Sequence, residues 1–255
     1  QAADKMCCTE AEADTEKPFL RHALSRTSLS FPNPHRPMRY LPLLPALLLL
    51  SFTAPAHADP YQDCVALIAE DADAAYDRSL GWREEGGGAA ALHCGALALM
   101  ELELYDAAAD RLEDLAARKD AGSAEARVAI LNQAAAAWMK HGDLKRAAAV
   151  YGAALDLEPG NAQVLTARGR TYLMAGETPS ALEDFNLAIA AAPDNAEALL
   201  LRARAERLLF RLNEAARDIA AAEKAGADSL LLHLERGLIR EAQGNKDGAR
   251  ADWLY

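Results

Sequence analysis

The sequence predicts an all-α chain, an α-solenoid of stacked antiparallel helix hairpins behind an N-terminal helical cap. Three observations carry that prediction. Alanine accounts for 59 of 255 residues, in a chain that is 51% hydrophobic but only 6% aromatic, a composition suited to helices packed closely. The β-branched runs between turn clusters that a sandwich, barrel or parallel sheet needs are absent. A gapless 34-residue period aligns residues 128–161, 162–195, 196–229 and 230–255, and such a period marks a stacked repeat architecture.

The first 58 residues are read as lying outside the fold. Met38-Arg39-Tyr40 precedes an uncharged apolar stretch from Leu41 to Ala54, and Ala56-His57-Ala58 follows. A short basic region, an apolar centre and a small-x-small site describe a secretory signal peptide over 38–58, cleaved after Ala58. The stretch is broken by Pro42 and Pro45 and is too short for a spanning helix, so no stable membrane insertion is expected after cleavage. Residues 1–37 precede Met38 and are read as an upstream, non-native or disordered segment. The expected location is the periplasm of a bacterium, and the Arg- and Ala-rich composition agrees with a GC-rich source.

From Asp59 to Gly88 the pattern reads as the helical cap, a short helix over Tyr61–Ala69 and a longer one over Ala72–Glu84. Residues 89–127 form a degenerate repeat that rejoins the period after an insertion around Lys119 to Ala124. Repeats 128–161, 162–195 and 196–229 follow, and 230–255 is an incomplete one. Cys64 and Cys94 are the two cysteines after Ala58. Reflected through their turns, both fall at one height on the helix between them, which predicts a Cys64–Cys94 disulfide. Two buried thiols, each acting as a small hydrophobe, are the alternative.

In repeat 162–195, Gly169, Tyr172, Ala181, Phe185, Ala188 and Pro193 stand at fixed spacing; in repeat 128–161, Trp138, Gly142, Ala147, Tyr151, Ala154 and Pro159 do. By these residues the chain resembles the tetratricopeptide repeat family. Segments three and four depart from the pattern: Phe210 stands for the turn glycine, and Glu206 and Arg240 for the aromatic, while Gly244 and Ala249 keep the frame. Physics supports the same hairpin: small residues sit where two helices approach, glycine ends the first helix, and Pro-x-Asn ends the second and caps the next.

Arg168, Arg202 and Arg236 recur with the repeat, and Asp184, Asp218 and Asp252 follow each by the same interval. The first repeat has Ala134 and Val150 at the two positions. Present together three times and absent together once, these residues are assigned to structural ion pairs inside each hairpin.

The family resemblance implies that ligands lie along the first helices. The corresponding positions are His93, Leu97 and Met100; Asn132, Ala136, Met139 and Lys140; Thr166, Arg170 and Met174; Leu200, Arg204 and Arg207; Leu234 and Leu238. Met and Leu beside a few arginines suit an apolar peptide or helix of some acidic character. A groove that only covers an internal helix, or nothing, is the alternative. The Lys and Asn set with which chaperone-binding relatives hold a terminal carboxylate is absent.

Lys and Arg number 27 against 38 Asp and Glu, a net charge of −11, which removes the counterion-release term that drives nucleic-acid binding. The acidity is concentrated, with 16 acidic against 5 basic residues in 59–126 and 17 against 16 in 127–255. No phosphate loop, no His-Glu-x-x-His and no Gly-x-Ser-x-Gly occurs, and His93, His141 and His233 lie in separate repeats. The sequence therefore predicts a protein-interaction scaffold without catalytic residues, metal or cofactor, whose partner is a protein or peptide. Self-association through the edge at Trp253 and Leu254 is a further expectation. A repeat segment of a longer protein, with no ligand in this groove, is the second reading.

Overall fold

In a computed structural model, residues 59–254 are described; the signal-peptide reading of 38–58 and the upstream segment 1–37 lie outside them. Among the described residues there are twelve helices and no strand. Two cap helices, α1 (Pro60–Ile68) and α2 (Ala72–Glu84), precede five hairpins: α3 (Gly88–Glu101) with α4 (Tyr105–Ala117), α5 (Ala124–His141) with α6 (Leu144–Leu157), α7 (Ala162–Met174) with α8 (Thr178–Ala191), α9 (Ala196–Leu208) with α10 (Leu212–Lys224), and α11 (Leu230–Ala242) with α12 (Lys246–Trp253).

The helix starts are set by side chains that satisfy otherwise orphaned backbone donors. Asn161 Oδ1 accepts from the Gln163 and Val164 amides, and Asn195 Oδ1 from Ala198, in both cases two residues after the proline that stops the preceding helix. Gly142 takes φ 95° as α5 ends, the left-handed turn that favours glycine. Phe210 occupies the equivalent turn after α9 at φ 59°, and Glu103 that after α3 at φ 60°. A side chain in that region crowds its own carbonyl, so both turns carry backbone strain.

Each of the four hairpins from α5 onward closes on a small residue facing a large one. A Cβ on Gly169 would lie 2.6 Å from the Phe185 ring, and one on Gly237 would collide with Trp253. Ala135 with Tyr151 and Ala203 with Ile219 hold the same two repeat positions, and all four are buried. The core is thus a series of small-large pairs repeated along the stack, and its largest cluster runs from Ala96 through Trp138 and Leu165 to Ala198.

Cys64 and Cys94 are both fully buried and are joined as a disulfide, with Cα atoms 6.3 Å apart. The bridge ties α1 to α3 across α2. No helix among the described residues is long and apolar enough to cross a membrane.

Candidate functional site

The first helices of successive hairpins, α5, α7, α9 and α11, present the face on which ligand contacts are expected, and the three Arg–Asp pairs stiffen the hairpins behind it. Arg168 donates to both oxygens of Asp184, through Nε at 2.8 Å and Nη2 at 2.7 Å. Arg202 holds Asp218 in the same two-pronged way, at 2.6 and 2.8 Å. In the last hairpin Arg236 Nε reaches Asp252 Oδ1 at 2.8 Å while Arg240 Nη1 takes Oδ2, also at 2.8 Å. The three aspartates are buried, and a bidentate guanidinium satisfies the carboxylate lone pairs that burial strips of water.

The aromatic position of the repeat is occupied in turn by Trp138, Tyr172, Glu206 and Arg240. Trp138 lies under the Arg146 guanidinium, 3.6 Å from its centroid, and Tyr172 lies 5.9 Å from Arg168. Arg240 joins the Asp252 pair. Glu206 is 8% exposed, and its Oε2 has no hydrogen-bond partner. Burial, and then the charge of Asp218, push its carboxyl from 4.5 to about 7.

The face differs from a basic, open groove. Arg170 pairs with Glu197 of the next hairpin at 2.9 Å. Arg207 lies 2.7 Å from Glu235, and Arg204 lies 3.6 Å from the same buried carboxylate. The three arginines read as ligand contacts are therefore also staples between neighbouring repeats. Thr166 and Leu200 require correction: they are 2% and 6% exposed and belong to the interior. Thr166 donates to the Ala162 carbonyl and accepts from Asn195, and Leu200 packs with Ile219 and Leu232. Both sit one turn into their helix, covered by their own hairpin and the one that follows: Asn195 caps α9, Ile219 lies on α10 and Leu232 on α11. Asn132 is half-buried with Oδ1 enclosed and unpartnered. Half-buried Met139 accepts at sulfur from Thr171 and Tyr151, and exposed Lys140 sits 5.2 Å from the Tyr105 ring centroid.

Large apolar side chains remain open on this face, among them Leu234 of α11, 44% exposed. Met174 and Leu208, at the same position of successive repeats, are 56% and 44% exposed. Leu208 is the last residue of α9, one turn beyond Arg204, as Met174 is the last of α7, one turn beyond Arg170. At the cap end, Tyr61 Oη lies 2.7 Å from His93 Nδ1 and His93 Nε2 lies 2.7 Å from Gln133 Oε1. Burial, and then the Asp59 charge, raise the Tyr61 pKa, so the phenol keeps its proton. Tyr61 and Gln133 belong to the cap and to another repeat, and no periodic signal points to them. No group of three potential metal ligands occurs among the described residues.

A family model of the tetratricopeptide repeat matches residues 139–205, which span the Gly142 turn and the Asn161 and Asn195 caps. Over this segment the chain is similar to the tetratricopeptide repeat family. No curated protein matches its sequence. Among solved structures it is similar to MamA residues 41 to the end from Desulfovibrio magneticus RS-1, with 19% identity over 66% of this chain and 92% of that one and a TM-score of 0.57. A MamA RS-1 double mutant gives the same identity and TM-score over 91% of its own length. A tetratricopeptide repeat protein from Parabacteroides merdae is 20% identical over 78% of this chain and 66% of its own, with a TM-score of 0.53. At these identities the likeness is one of fold: tetratricopeptide hairpins stacked in the same order.

Proposed function

We propose that this protein is a protein-binding scaffold of the bacterial periplasm, holding a peptide or protein segment along the face of its first helices. The observation that carries the reading is the pair Met174 and Leu208, two large apolar side chains in repeat register, left half open to water on that face. Thioether and aliphatic carbon at one-repeat intervals suit an apolar helix or extended segment. Arg170 and Arg204 stand on the same helices, each already shared with a glutamate, so they orient a ligand's acidic groups more than they bind them. The export part of the proposal is supported by the residues of 38–58 and by the Cys64–Cys94 bridge, since disulfides persist in oxidising compartments.

Chemical crosslinking in the envelope of the source bacterium tests this, comparing the full chain with a Met174→Glu, Leu208→Glu variant. The reading expects one or more proteins joined to the wild type and lost from the variant, together with a mature N-terminus at Asp59. Equal capture by both chains, or a chain that stays in the cytoplasm uncut, contradicts it.

A further inference from the structure

At the cap end, α1, α3, α4 and α5 line an open concavity of about 370 Å³, in the size range of small-ligand sites. Its wall is aliphatic. Ala89 and Ala90 come from α3, Leu115 from α4, and Ala126, Ala129 and Ile130 from α5.

Polar groups gather on one side only, where Tyr61, His93 and Gln133 are joined by two hydrogen bonds of 2.7 Å. An amide oxygen can only accept, so with Gln133 Oε1 at Nε2 the imidazole carries its proton there, Nδ1 accepts, and the phenol donates. That chain of bonds uses the Tyr61 hydrogen and the Gln133 oxygen. It leaves an acceptor lone pair on Tyr61 Oη and the two amide hydrogens of Gln133, with no further partner for either among the described residues. A donor and an acceptor beside an aliphatic wall match one residue of a peptide: its side chain in the concavity, its carbonyl on Gln133 and its N–H on Tyr61.

The charge around the concavity selects further. No lysine or arginine lines it. Asp59 lies two residues before Tyr61, Glu125 immediately before Ala126, and the segment 59–126, which supplies most of the lining, carries 16 acidic side chains against 5 basic. Such a field draws in cationic segments and repels acidic ones. The arrangement is also fixed in place. Cys64 lies one turn from Tyr61 on α1 and Cys94 is next to His93 on α3, so the disulfide that joins the two helices holds the Tyr61 and His93 rings stacked, 5.8 Å between centroids.

We propose that this concavity is a binding site for an aliphatic residue flanked by lysine or arginine in a peptide segment of a partner protein, with Tyr61 and Gln133 hydrogen-bonded to the segment's backbone. The inference rests on the protein-binding reading above and adds a second place of contact and its chemistry. Its ligand is basic and aliphatic, whereas the Met174–Leu208 face is suited to an apolar segment with some acidic character.

An array of immobilised random-sequence peptides, probed with the full chain, tests it. Two variants act on the site: Ala129→Trp, which fills the concavity from an exposed helix position, and Gln133→Leu, which removes the amide at nearly constant volume. The expected result is enrichment of peptides with Ile, Leu or Val beside Lys or Arg, with capture falling about tenfold or more in each variant and unchanged in the Met174→Glu, Leu208→Glu chain. Helical melts of the variants confirm that they fold, and either one suffices for the comparison. Peptides lost only from the Met174→Glu, Leu208→Glu chain would overturn this site while leaving the scaffold reading standing. Enrichment of acidic peptides, or capture indifferent to both site variants, overturns it as well, and the absence of any captured peptide overturns both readings.

Discussion

Arg202 and Asp218 face each other across the α9–α10 hairpin, joined by hydrogen bonds of 2.6 and 2.8 Å, and in the same hairpin lies the buried carboxyl of Glu206, whose Oε2 has no hydrogen-bond partner. Removing the arginine leaves two acids in one poorly hydrated place. Arg202→Ala is therefore expected to lower the unfolding free energy by about 2–3 kcal/mol, because an unpaired buried charge costs more than the pair contributed. Urea unfolding followed by circular dichroism measures it. A joint Arg202→Met, Asp218→Leu replacement should recover most of the loss, and a single-variant loss under about 0.5 kcal/mol would show the pair to act as an exposed one.

Glu206 gives the stability a pH dependence of definite sign. Its folded-state pKa of about 7 lies above the ordinary 4.5, so between those values the folded chain keeps a proton that the unfolded chain has lost. Stability from this group is fully present below about pH 4.5 and is lost as pH rises towards 7. Glu206→Gln should remove that slope and be more stable than wild type by about 1–2 kcal/mol at pH near 8. Parallel melts across pH decide it; a wild-type curve that is flat from about pH 5 to 8 would contradict the assignment.

Phe210 is 87% exposed at φ 59°, in the turn where three other hairpins carry Gly142, Gly176 and Gly244 at positive φ. Relief of the left-handed strain outweighs the extra freedom glycine gives the unfolded chain. Phe210→Gly should raise stability by about 0.5–1 kcal/mol, read from the thermal midpoint, whereas Phe210→Ala should not.

The Cys64–Cys94 bridge closes a loop with a sequence separation of 30. The chain-entropy model assigns such a loop about 3.6 kcal/mol. Because α1 packs chiefly on α2 and α3 among the described residues, Cys64→Ala with Cys94→Ala should show first as faster amide hydrogen exchange in α1, with α7 to α10 protected as before. Equal acceleration throughout the chain would mean that the cap controls the whole stack.

What the sequence could show was set by distance along the chain. Hairpin features are local and repeat: the Gly142 turn, the Asn161 and Asn195 caps, and the interval of 16 between Arg168 and Asp184 can all be seen by sliding the chain against itself. Contacts between neighbouring hairpins do not repeat in that way. Glu197 and Glu235 sit at different repeat positions, so their pairing with Arg170, Arg204 and Arg207 had no periodic trace. The burial of Thr166 and Leu200 likewise depends on how closely the second helix and the next hairpin cover each first helix. The Tyr61–His93–Gln133 chain joins the cap to two repeats across 32 and 40 residues, and only the folded arrangement brings it together.

The scaffold reading depends most on which face of the stack meets a partner. A photo-crosslinking amino acid placed at Met174, on the first-helix face, and separately at Leu187, exposed on the second helix of the same hairpin, separates the possibilities in one experiment. The account predicts a protein or peptide adduct from position 174 and none from position 187. Adducts from 187 alone, or equally from both, would contradict it.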